Sequence, residues 1–146
     1  MTYDLLIKNG TVVDGSGNPG YRADVGVSGG KIAAIGRINE RAKQIIDAEG
    51  HIVSPGFVDG HTHMDAQIFW DPIGSCSSYH GVTSVVMGNC GFTLAPCKQE
   101  DADMVFRNLE RAEDLSRDAM LEGIDWRWET FPEFLDVIDD LPKGIK

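Results

Sequence analysis

Two continuous apolar runs, "GFVDG" at 56–60 and "VTSVVM" at 82–87, constrain this chain more than any other feature. Neither shows the strict apolar–polar alternation of a strand with one wet face. Continuous runs rich in β-branched residues suit parallel strands buried on both faces. Each run gives way to polar and glycine residues, "HTHMD" after the first and "GNCGF" after the second. Parallel strands need a crossover between them, and "SCSSYHG" at 75–81 reads as the end of a helical or turn segment. Further on, Val105, Leu109, Ala112 and Leu115 recur at helical spacing with charge on the other faces. "TFPEFLDVIDDL" carries a capping box in Thr130 and Glu133, with Pro132 early and an apolar stripe of Phe134, Leu135, Ile138 and Leu141. Strand, helix, strand, helix is the opening of an α/β architecture.

Residues 1–55 follow a different pattern of short strands and tight turns. "LLIKNGTVVD" places Asn9-Gly10 between apolar runs, which predicts a two-residue hairpin turn. "ADVGVSGGKIAAIG" repeats the plan around Gly29-Gly30, with Val25, Val27 and Ile32, Ala34 alternating. "QIIDAEGHIVSPG" predicts a third strand pair around Glu49-Gly50. The region reads as part of a β-sandwich. About 55 residues bury little surface alone, so it needs strands from elsewhere. The division is therefore 1–55, a sandwich portion, and 56–146, the first βα units of a second domain.

The net charge of −10 is uneven: residues 100–140 hold 14 of the 23 acidic side chains and 4 of the 13 basic ones. The remainder sums to zero, so the excess is a local property, read here as the solvated outside of helices. It argues against nucleic acid, which calls for a basic footprint. No apolar run approaches the roughly 18 residues of a membrane span, and the N-terminus lacks the basic and apolar regions of a secretory signal. Three cysteines, Cys76, Cys90 and Cys97, suit a reducing compartment better than a disulfide framework, so a cytoplasmic location is expected.

The chemistry gathers where the runs end. On an extended backbone, residues i and i+2 point the same way, so His61 and His63 face one side together. Two neutral imidazoles on one face suit a divalent metal such as zinc. A bare HxH pair is more often two polar residues where a strand leaves the core. Here Gly56 and Gly60 allow close backbone approach, and the pair falls at the C-terminal strand end where α/β sites are built. Cys90 repeats that placement after the next strand, and a thiolate is a strong zinc ligand. Cys76 and Cys97 lack such a setting. His80 precedes the second strand and His51 lies in a turn, so both read as structural or solvent-facing. Asp65 is placed equally to orient a ligand histidine, to touch substrate, or to cap the following segment.

"SPGFVDGHTHMD" resembles the first-strand signature of the amidohydrolase superfamily, "PGFxDxHxH", and "DLLIKNGTVVDGSG" resembles that superfamily's N-terminal β-sandwich half. "GVTSVVMGNCGFTLAPC" and "WRWETFPEFLDVID" resemble the N-acyl-D-amino-acid deacylase (D-aminoacylase) branch, where a cysteine replaces a carboxylated lysine. The resemblance implies a (β/α)8 TIM-type barrel with one or two zinc ions at the strand ends. It carries His61, His63 and Cys90 over as metal ligands. The implied reaction is hydrolysis of the N-acyl amide of a D-amino acid, with zinc activating water and polarising the carbonyl. A carboxylate after the eighth strand would move the proton. Relatives acting on cyclic amides, β-aspartyl dipeptides or N-substituted formamides are alternatives, as is a non-catalytic metal-binding fragment. Such a barrel needs about 250 residues. The expected catalytic aspartate and further histidines lie beyond Lys146, so the chain reads as an N-terminal portion, inactive when expressed alone.

Overall fold

The computed structural model describes residues 2–146, in two compact units, Met1–Pro55 and Gly56–Lys146. The first unit is a single five-stranded sheet in which the 11-residue strand β1 (Thr2–Val12) is central. β2 (Tyr21–Ser28) runs antiparallel along one edge of β1, and β3 (Lys31–Gly36) follows it. The β2–β3 turn is the expected Gly29-Gly30 hairpin, with positive φ at both glycines.

The other two expected hairpins are not formed. Asn9 takes a φ of 61° inside β1, and the β1–β2 register shifts between Ile7 and Gly10. The Asn-Gly pair therefore makes a bulge, not a turn. Its distortion is held by two carboxylates: Asn9 N donates to Asp24 at 2.9 Å, and Asn9 Nδ2 donates to Asp47 at 2.9 Å. The chain around Glu49-Gly50 joins β4 (Arg41–Asp47) to β5 (Ile52–Val53), but these do not pair with each other. Both lie parallel to β1 along its second edge, β4 beside Thr2–Lys8 and β5 beside Thr11–Val12.

The sheet buries Tyr3, Leu6 and Ile38 as a small core, while Ile32, Ile45 and Ile52 are exposed. An open apolar hollow of about 130 Å³ is lined by Val12, Val25, Ile32, Ile35, Val53 and Pro55. Alternation in β3 thus places Ile32 on an uncovered face. Residues 2–55 supply one layer, and the facing layer of a sandwich is not among them.

In the second unit, β6 (Phe57–Asp59) and β7 (Val82–Val85) pair in parallel, joined through a short 3-10 turn at Gln67–Phe69 and helix α1 (Ser75–Ser78). β7 is also bonded on its far edge. Lys146 N donates to Thr83 O at 3.0 Å, and Val85 N donates to Lys146 O at 2.6 Å. One residue bridging two on its neighbour is the parallel-ladder pattern. Met64, Ile68 and Ile145 pack as a buried cluster, with Val82 and Val85 against it. Phe57 and Val58 are 62% and 71% exposed, so the expected burial of both faces is not met, because two short strands close no layer. Neither a sandwich nor a barrel is visible within the described residues.

The larger core forms where α2 (Ala102–Glu113), α3 (Arg117–Gly123) and α4 (Phe131–Asp140) meet the loop at 92–95. Leu94, Phe106, Leu109, Met120, Trp128, Phe134 and Val137 are buried there. Trp128 stacks on Phe69 and Trp126, and its indole N–H donates to Leu94 O at 2.8 Å. A buried indole with its N–H satisfied contributes both area and orientation. The buried stripe of α2 passes through Ala102, Phe106 and Leu109, leaving Ala112 exposed and Leu115 beyond the helix end. In α4, Phe134 and Val137 are buried while Leu135 is 46% exposed. Helix α3 has no counterpart in the sequence reading.

Local contacts in the fold generate three stability predictions. A Cβ at Gly56 would lie 2.1 Å from the Thr83 methyl, whereas one at Gly60 meets nothing within 4 Å. Gly56→Ala is therefore expected to lower stability by about 1–3 kcal/mol in urea unfolding, and Gly60→Ala by far less. The Thr130–Glu133 capping box is complete, so Thr130→Ala should cost about 0.5–2 kcal/mol. Backbone N–H donors from Glu129 and Thr130, then the Thr130 hydroxyl, hold the Glu133 carboxyl below its ordinary pKa. Its contribution should be complete above the ordinary glutamate value and fade as pH falls through the lowered one.

Candidate metal centre

His61 and His63 lie just past the end of β6, and Cys90 lies in the turn Gly88–Gly91 beyond β7. All three follow the strand ends rather than lying within β6 or β7, and the alternation persists beyond β6. Thr62 is buried at 6% exposure while both histidines point outward. The imidazole planes are parallel within 2°, with ring centroids 5.6 Å apart. One donor atom from each of His61, His63 and Cys90 lies within 4.8 Å of the others.

The two loops are stitched together. Thr62 Oγ1 donates to Val86 O at 2.8 Å, Gly88 N donates to Asp65 at 3.2 Å, and Asn89 Nδ2 donates to Gly60 O. Asp59 accepts from His61 N at 3.1 Å. Gly88 and Gly91 have φ of 79° and 90°, a turn that a side chain would strain. It closes with Gly91 N donating to Gly88 O at 3.2 Å and presents Cys90 half-buried between them.

Asp65 is 5% exposed, and its carboxylate faces the Gly88 N–H rather than solvent. Burial pushes its pKa up, opposed by the N–H groups of Gly88 and Asp65 itself, with Glu113 adding a smaller upward push and His63 a downward one. Its visible task is to tie the histidine loop to the cysteine turn. Glu113, at the end of α2, was not anticipated. Its Oε2 lies 2.5 Å from His63 Nδ1, and its side chain is 11% exposed. The acidic run had been read as solvated outside, and no spacing in the sequence singles out Glu113. Cys76 is exposed, and Cys97 donates to Lys98 O. His80 Nδ1 donates to Cys76 O and His51 Nδ1 donates to Glu49 O, so both stay with local backbone.

The donor set fits zinc in kind: two imidazoles and one thiol, the chemistry zinc favours. Tetrahedral zinc with ordinary bond lengths spaces its donors by about 3.3–3.6 Å. Closing to that spacing from at most 4.8 Å needs no more than about 1.5 Å of side-chain adjustment.

The family model described as the amidohydrolase family matches residues 44–142, most of the chain and all of this site. The chain belongs to the amidohydrolase family. A D-aminoacylase of Alcaligenes xylosoxydans xylosoxydans is 38% identical over 144 residues, which are 98% of this chain and 28% of that protein. The crystal structure of N-acyl-D-glutamate deacylase from Bordetella bronchiseptica, complexed with zinc and a phosphonate mimic of the tetrahedral intermediate, superposes with a TM-score of 0.79 at 30% identity. That match covers 100% of this chain and 28% of that one. An allantoinase of Salmonella choleraesuis is 56% identical over 64 residues, 44% of this chain and 14% of its own. The amidohydrolase chain thus spans little more than a quarter of the length of the deacylases it matches.

Removing the Thr62 hydroxyl tests the loop stitching. Thr62→Val keeps the shape and forfeits the bond to Val86 O, which should cost about 0.5–1.5 kcal/mol in denaturant unfolding.

Proposed function

We propose that these residues supply one side of the zinc site of an amidohydrolase that deacylates N-acyl-D-amino acids. The observation that carries the reading is the convergence of His61, His63 and Cys90 from two loops that follow adjacent parallel strands. Sites built after parallel strands are the rule in (β/α)8 barrels. The Lys146 bonds along β7 support a third strand in that order, and the open face of residues 2–55 supports a sandwich layer completed from elsewhere in the fold. When bound, zinc would lower the pKa of water and polarise an amide carbonyl.

The chain's own residues have separate tasks in this reading. His61, His63 and Cys90 hold one or two zinc ions. Thr62, Asp65 and Asn89 lock the two loops so the donors are gathered beforehand. Asp65 is assigned as that brace rather than as a substrate contact, because its carboxylate is buried against Gly88. The carboxylate that handles the proton is assigned outside residues 1–146. Three free cysteines favour a reducing compartment, and we place the protein in the cytoplasm with a small amide as its partner.

A cyclic-amide substrate is the second reading, favoured by the 64-residue likeness to allantoinase. A panel of N-acetyl-D-amino acids, their L-enantiomers and cyclic amides separates the two, assayed with zinc on the protein at its full encoded length. Deacylation confined to D-enantiomers is expected, with Cys90→Ala and His61→Ala each reducing turnover at least 100-fold. Turnover of the cyclic amides alone would overturn the deacylase reading.

A further inference from the structure

Glu113 sits where a carboxylate is unfavourable on two counts. It ends α2, and the C-terminal end of a helix repels negative charge. Its side chain is nearly buried, which strips a carboxylate of water. Among the described residues no lysine or arginine pairs with it, and its ion-pair partner is His63. Asp103, also on α2, is by contrast paired with Arg107 of the same helix and with Arg117 of α3. An acid held in such a place without a structural cation has a use for its charge.

We propose that Glu113 is the positioning residue for His63. It accepts the Nδ1–H of the ring, which fixes the tautomer and leaves Nε2 as the free donor toward Cys90 and His61. A carboxylate behind a metal-bound imidazole orients the ring and raises its basicity. A divalent cation beyond His63 would supply the positive charge that Glu113 otherwise lacks. Sequence spacing separates the partners by 50 residues, so only the fold brings them together. The inference rests on the metal reading above and adds an outer carboxylate to it.

The test compares wild type, Glu113→Gln, Glu113→Ala and the exposed neighbour Arg111→Ala, all at full encoded length. Zinc affinity is measured by calorimetry, the cobalt-substituted protein by its thiolate charge-transfer band, and the metal-free His63 tautomer by nitrogen NMR. Glu113→Ala should weaken zinc about 10–100-fold. Glu113→Gln should lose less, because its carbonyl still accepts the Nδ1–H. Arg111→Ala should match wild type. The Nδ1–H form of His63 should persist in Glu113→Gln and be lost in Glu113→Ala. Metal-free Glu113→Gln should melt no lower than wild type, while its gain in Tm on adding zinc shrinks, a split that a merely structural role would not give. Unchanged affinity and tautomer in Glu113→Ala, with wild type binding metal, would overturn this inference alone. A wild-type protein that binds neither ion would overturn the metal reading and this inference with it.

Discussion

The parallel pairing of β6 with β7 is the constraint on which the site depends. Its register sets Asp59 opposite Val85 and ends both strands at one level. The two loops that leave them are therefore neighbours before any side chain is considered. Val86 N then extends the ladder to Asp59 O at 2.9 Å, and the Thr62 hydroxyl takes the next step to Val86 O. A one-residue slip would turn Thr62 outward and the histidines inward, since side chains alternate along extended chain. Gly56 protects the register from the other end, where Thr83 leaves no room for a Cβ.

What the sequence disclosed and what it hid separate along physical lines. Features set by a few adjacent residues were legible: the Gly29-Gly30 turn, the Thr130 capping box and the outward pairing of His61 with His63. Features set by distant partners were not. Asn9-Gly10 has the composition of a hairpin turn, yet Asp24 and Asp47 capture its backbone and amide and hold it as a bulge. The turn at Glu49-Gly50 was read as joining a strand pair, because local sequence does not reveal that β1 is long enough to seat both β4 and β5 on one edge.

The site divides in the same way. Its three donors were visible as residue types after apolar runs. Of their support, Asp65 was singled out but not its tie to Gly88, and Glu113 was not, since these contacts span 23 and 50 residues of chain. In a segment with 14 acidic side chains, nothing marks the one that turns inward. Periodicity also misjudged which helix faces are covered, taking Ala112 and Leu135 as apolar contacts. The core around Trp128 keeps the expected Leu109 and Phe134 and adds Phe106 and Val137 in place of Ala112 and Leu135.

Family membership, the gathered donors and the loop stitching support the proposal that His61, His63 and Cys90 together hold zinc. X-ray absorption at the zinc edge, on protein loaded with one equivalent of zinc, tests it most directly. The account predicts a sulfur shell of one atom at about 2.3 Å together with imidazole nitrogens at about 2.0–2.1 Å, and loss of the sulfur shell in Cys90→Ser. A zinc environment of nitrogen and oxygen alone, unchanged by that substitution, would contradict it.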